Sequence, residues 1–131
     1  MQTITDTNKL TILAKNAVMR EHEAFHYQLN IDNYTLMLAT LPLDAWPVDL
    51  EQFREFKIDE LPVWLSDEQV QLISDYQYRE RLTKLLRTEK VEQTKVMRIY
   101  DVLLAQIPED QRETLISAAD AARVAAEVVQ Q

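Results

Sequence analysis

No glycine occurs anywhere in this chain of 131 residues. That absence constrains the fold more than any motif does. Tight hairpins, bulges and phosphate-cradling loops need residues that tolerate positive φ, and glycine is their usual supplier. Hairpin-rich β folds and glycine-rich nucleotide loops are therefore disfavoured. Cysteine is absent too, which excludes a disulfide framework and a thiolate metal site.

Hydrophobic periodicity points to helices. From about residue 8 to 41, Leu10, Ala17, Ala24, Ile31 and Leu38 recur every seven residues. Leu13, Arg20, Tyr27, Tyr34 and Leu41 repeat three positions further on. Every member except Arg20 is apolar or aromatic, so one narrow stripe follows one helix face. Asp6 or Thr7 caps the start, and Pro42 marks the end. Residues 42–65, PLDAWPVDLEQFREFKIDELPVWL, hold both tryptophans and three of the four prolines. They read as an irregular connector with one short helix near 48–57, with Pro47 in its first turn.

Ser66 opens the next helix with SDEQ, a capping box in which Gln69 sits three residues after the N-cap. From there to Ile107 there is no Gly, Pro or Asn. One continuous helix over about 66–107 is expected, even through the polar stretch RTEKVEQTK. Forty such residues span about 60 Å. Its stripe is Leu72, Arg79, Leu82, Leu86, Glu89, Gln93, Val96, Tyr100, Leu103 and Ile107. Pro108, followed by Glu109, Asp110 and Glu113, starts a last helix over about 109–129. Leu115, Ala119, Ala122, Ala126 and Val129 lie along one of its faces. The expected fold is a single all-α domain over 1–131. It is an elongated antiparallel long-helix hairpin, coiled-coil-like, with a short connector helix and a C-terminal third helix. Arg20 and Glu89 interrupt two otherwise apolar stripes. A register that sets Leu41 beside Glu68 and Leu10 beside Ile99 brings them together as an ion pair.

Charge is unevenly spread. The net charge is −8, and residues 44–75 carry nine acidic and two basic side chains. Residues 79–98 carry seven basic and three acidic ones. Lys84, Arg87, Lys95 and Arg98 share a helix face, either solvated or docked onto an acidic surface such as segment 44–75 of another copy. Direct nucleic-acid binding is disfavoured by the overall charge and by the lack of interleaved aromatic residues. No apolar run approaches the roughly 20 residues that span a bilayer. The N-terminus lacks a basic segment followed by an apolar one, so a cytoplasmic protein without membrane attachment is expected.

One motif suggests chemistry. Residues 22–26 read HEAFH, a match to the H-E-x-x-H signature of zinc proteases. On a helix His22 and His26 sit one turn apart and reach toward one ion, with Glu23 placed to activate a bound water. A catalytic zinc needs a third protein ligand, and no third histidine exists. The continuation YQLNID lacks the Gly and His of one zinc-protease class. The seam through Ala17, Ala24 and Ile31 also places both histidines on the opposite, solvated face. The expectation is therefore no catalytic residue, no metal and no cofactor.

Composition and pattern point to a non-enzymatic helical protein–protein interaction module that associates with itself or another protein. Trp46, Phe53, Phe56 and Trp64 are its aromatic contact candidates, beside Lys84, Arg87, Lys95 and Arg98. One alternative is a small acidic inhibitor or nucleic-acid mimic that occupies a basic partner. The other is a zinc-dependent hydrolase built on His22, Glu23 and His26.

Overall fold

The computed structural model describes residues 6–41 and 43–130, the last two by backbone alone. Pro42 and the N-terminal leader reading lie outside the described residues. Three helices account for most of the chain: α1, Thr7–Ala39; α2, Asp67–Ala105; and α3, Glu109–Gln130. No strand occurs among the described residues. The protein is all-α, and α2 runs unbroken through RTEKVEQTK as its residue types require. No described helix is long and apolar enough to cross a membrane.

The helix starts are built by side chains. Asp6 Oδ1 accepts hydrogen bonds from the backbone N–H groups of Asn8 and Lys9, at 2.9 and 3.2 Å. Ser66 and Gln69 form the reciprocal capping box: Gln69 N donates to Ser66 Oγ at 3.1 Å, and Ser66 N to Gln69 Oε1 at 2.9 Å. The helix ends show how a chain without glycine terminates. No described residue has positive φ. Instead of a left-handed C-cap, α1 tightens: Leu41 N donates to Leu38 O, and Thr40 Oγ1 to Met37 O. After α2, Arg112 Nε donates to the carbonyl of Ile107 at 2.9 Å.

The short connector helix expected near 48–57 is replaced by two 3-10 turns, Glu51–Phe53 and Ile58–Glu60. Leu50 and Phe53 are buried, and Phe56 stacks edge-on against Phe53 at 5.4 Å. Spacings of three stack on one side of a 3-10 turn, so this pattern favours i→i+3 bonding.

The chain forms two compact units, Met1–Leu29 with Lys90–Gln131, and Asn30–Glu89. The first packs part of α1, part of α2 and all of α3. Its core is Leu10, Ala14, Val18, Ile107 and Ala119, with Leu13, Leu115 and Ile116 against it. Every heptad position that α1 brings to this unit is buried or half-buried, Arg20 included. Gln93, a polar member of the α2 stripe, donates through Nε2 to the Ala24 carbonyl at 3.1 Å and to Gln28 Oε1 at 2.9 Å. Ala14 and Val18 bury a second row of α1, four residues apart, beneath α3. Small residues there let the two backbones approach. On α3, Ala119 is buried but Ala122 and Ala126 are exposed, and the side chain of Val129 lies outside those described.

The second unit folds the connector over the first turns of α2. Trp46, Leu50, Phe53, Leu65, Ile73 and Tyr76 form its core. Trp46 lies 4.9 Å from the Tyr76 ring and donates through Nε1 to Glu80 Oε1 at 2.9 Å. Gln77 Nε2 reaches the carbonyls of Phe53, Arg54 and Phe56, and Arg79 Nη1 those of Leu43 and Asp44. These bonds satisfy connector backbone that forms no regular ladder.

The helix register differs from the expected one. With Leu41 beside Glu68, Gln28 would meet the level of residue 81, but it meets Gln93, about three turns further along α2. In the second unit Asn30 Nδ2 donates to Glu89 Oε2 at 3.3 Å, and the carbonyls after α1 fall level with Arg79. The cause is the connector. Its aromatic residues occupy α2 from Ile73 to Glu80, so α1 pairs with the turns beyond. Arg20 and Glu89 accordingly have separate partners. Arg20 Nη2 binds Glu23 Oε1 at 2.7 Å, and Glu89 accepts from Asn30.

Candidate functional site

HEAFH occupies one turn and a half of α1 in the three-helix unit. Ala24 is buried in the seam, as expected. The histidines differ from the expectation of two solvated rings. His26 is exposed, but His22 is half-buried, because it continues the Leu10–Ala14–Val18 row that faces α3. That four-residue spacing was the signal available in the sequence. The two rings meet edge to face with centroids 4.5 Å apart and Nε2 atoms 3.0 Å apart. Glu127 on α3 places Oε1 3.6 Å from His22 Nε2. Its carboxylate is held by Arg123 Nη1 at 2.8 Å, and Arg123 also binds Asp120 at 3.1 Å.

Glu23 is bound to Arg20 and does not line the cleft beside His22. Among the described residues, no group of three or more His, Cys, Asp or Glu side chains is arranged to hold a metal. The cleft has a volume of about 610 Å³ and is lined by Val18, Glu21, His22, Phe25, Gln93, Arg123 and neighbouring side chains. Elsewhere in this unit the Tyr100 hydroxyl is held above its ordinary value, first by burial and then by the charge and hydrogen bond of Glu21.

The second unit separates the aromatic candidates. Trp46 and Phe53 are core residues, 8 % and 4 % exposed. Trp64 is 69 % exposed and rests one ring edge near Phe53, at 6.1 Å. Val63 and Val48 are almost fully exposed beside it in the chain and the connector, and Phe56 is partly so. In the same segment Asp44, Asp49, Glu55, Asp59 and Glu60 are exposed and join no ion pair among the described residues. Arg54 is the local exception. Its Nε lies 3.0 Å from Glu80 Oε1 as an ion pair without hydrogen-bond alignment, and its guanidinium sits 5.2 Å above the Trp46 ring. A groove of about 400 Å³ runs beside α2, lined by residues that include Phe56, Ile58, Arg81 and Lys84. Lys84 and Arg87 are exposed on this unit; Lys95 and Arg98 are exposed on the other, with Lys95 bound to Glu92 at 3.2 Å.

The fold and these surfaces define an all-α protein with a histidine cluster on one unit and an exposed aromatic, acidic connector on the other. No protein-family model, no curated protein and no solved structure matches the chain.

Proposed function

We propose that this protein is a non-enzymatic helical interaction module that associates with a second copy through the connector unit. The observation that carries the reading is the exposure of Trp64 and Val63 in a segment whose carboxylates Asp44, Asp49, Glu55 and Asp59 are exposed and join no ion pair among the described residues. Bulky apolar side chains are stable on a surface singly, but adjacent exposed ones that include a Trp have the composition of an interface hot spot. The same unit also bears the complementary elements: an open groove with apolar walls at Phe56 and Ile58, and the cations Arg81, Lys84 and Arg87 beside it. A surface carrying both an anchor and its complement supports a two-fold, isologous dimer. The net charge of −8 opposes association at long range. At physiological ionic strength that repulsion fades beyond about 8 Å, while adjacent opposite charges still act.

Charge-swapped copies test the reading. Variant one carries Lys84→Glu and Arg87→Glu; variant two carries Glu55→Lys and Asp59→Lys. Each alone sediments as a monomer, because like charges face each other. An equimolar mixture restores the dimer, because every opposed pair is again complementary. A mixture that stays monomeric refutes the pairing.

A second reading has its own support. The exposed, unpaired carboxylates of the connector also suit an acidic inhibitor or nucleic-acid mimic that occupies a basic partner. It requires a chain that stays monomeric while capturing a basic protein, with capture abolished by Glu55→Lys and Asp59→Lys.

A further inference from the structure

Basic side chains are the minority on this chain, 14 against 22 acidic ones, yet four of them line one groove of the connector unit. Arg54 and Lys57 come from the connector, Arg81 and Lys84 from α2. Two carboxylates, Glu55 and Glu80, line it as well. Glu80 is already engaged. Arg54 Nε lies 3.0 Å from its Oε1, and the Trp46 indole donates to the same oxygen at 2.9 Å. Lys57, Arg81 and Lys84 join no ion pair among the described residues, so three cations stand against Glu55. We propose that this groove binds a small organic oligophosphate, such as a nucleoside diphosphate. Lys57, Arg81 and Lys84 hold its phosphates, and Phe56 and Ile58 take its planar ring.

Charge and size select this ligand. Cations gathered on one surface repel one another, and a bound anion offsets that cost. One carboxylate carries too little charge for three cations, whereas linked phosphates supply several charges in a small volume. Arg81 offers a planar fork to phosphate oxygens, and the two lysines act as point charges. Phe56 and Ile58 are exposed apolar side chains on the same groove. A ring laid there covers apolar surface that inorganic phosphate leaves wet. The groove volume of about 400 Å³ lies in the range of small-molecule clefts. The wall is also braced. Gln77 Nε2 donates to the carbonyls of Phe53, Arg54 and Phe56, and the Arg81 guanidinium lies 5.8 Å from the Tyr78 ring centre. Such bracing lowers the ordering cost of binding. The net charge of −8 repels an extended nucleic-acid strand more than a short ligand held by local cations.

This site goes beyond the dimer reading, although a second copy uses the same groove. Binding is therefore measured on Trp64→Ala, which lacks the dimer anchor and keeps every residue that lines the groove. The experiment is calorimetric titration with ADP and, separately, with pyrophosphate, both in EDTA so that no metal bridges them. The expected result is one ADP per chain at micromolar affinity, with pyrophosphate binding severalfold more weakly. Arg81→Gln with Lys84→Gln, both at exposed positions, lowers ADP affinity by about tenfold or more. Arg98→Gln, exposed and outside the groove, leaves it unchanged. Circular dichroism checks that each variant folds. Millimolar ADP binding only, unchanged affinity in the Arg81 and Lys84 variant, or an equal loss in Arg98→Gln overturns the site. Pyrophosphate that binds as tightly as ADP overturns the ring contact.

Discussion

The two tryptophans of the connector provide a matched pair of perturbations. They lie 18 positions apart in one segment, yet Trp46 is 8 % exposed and Trp64 is 69 % exposed. Trp46→Ala removes a ring packed on Tyr76 and lying under Arg54, and leaves Glu80 without its indole donor. Truncation of a buried aromatic of this size costs about 3–5 kcal/mol. At roughly 4 °C per kcal/mol for a chain of this length, Tm falls by ~12–20 °C. Trp64→Ala removes a largely exposed ring that meets Phe53 by an edge, and costs about 1 kcal/mol or less, so Tm moves by no more than ~4 °C. The assay is thermal melting followed by far-UV circular dichroism, at a low matched concentration so that association adds no stability. Comparable losses from the two substitutions, or a Trp46→Ala chain within ~4 °C of wild type, refute the assignment of one ring to the core and the other to the surface.

Three further outcomes follow from the local chemistry. Ser66→Ala removes half of the capping box and lowers stability by about 1 kcal/mol, read from urea denaturation. Tyr100 keeps its proton in the folded chain above its ordinary value of 10.0, so the folded state binds more protons there than the unfolded one. Stability is therefore full below that value and falls as pH rises past it, and Tyr100→Phe flattens this alkaline fall. With excess zinc, the purified chain cleaves no casein above background; zinc-dependent cleavage lost in Glu23→Ala would reinstate the hydrolase.

Much of the fold was legible because helix periodicity and capping are local. The heptad positions Leu10, Ala17, Ala24 and Ile31 are all buried, and the Ser66–Gln69 box forms as written. Register was not legible, since a seven-residue stripe repeats along its helix and does not say which heptad meets which. What sets it is the connector, whose aromatic residues claim Ile73 and Tyr76 before α1 can. The 3-10 turns escaped for a related reason: spacings of three such as Leu50–Phe53 also fit an α-helix. At the site, Ala24 was placed correctly from its heptad. His22 was not, because the covering helix α3 is alanine-rich and its small residues mark no obvious partner face. The row Ala14–Val18–His22 becomes informative only once a third helix is laid along it.

The mass of the protein in solution tests the proposed association most directly. Light scattering on wild type and Trp64→Ala, side by side over a concentration series, is the measurement. The self-association reading predicts that wild type rises to twice 15.4 kDa while Trp64→Ala stays at 15.4 kDa. A wild-type chain that remains at 15.4 kDa at the highest concentration would contradict it.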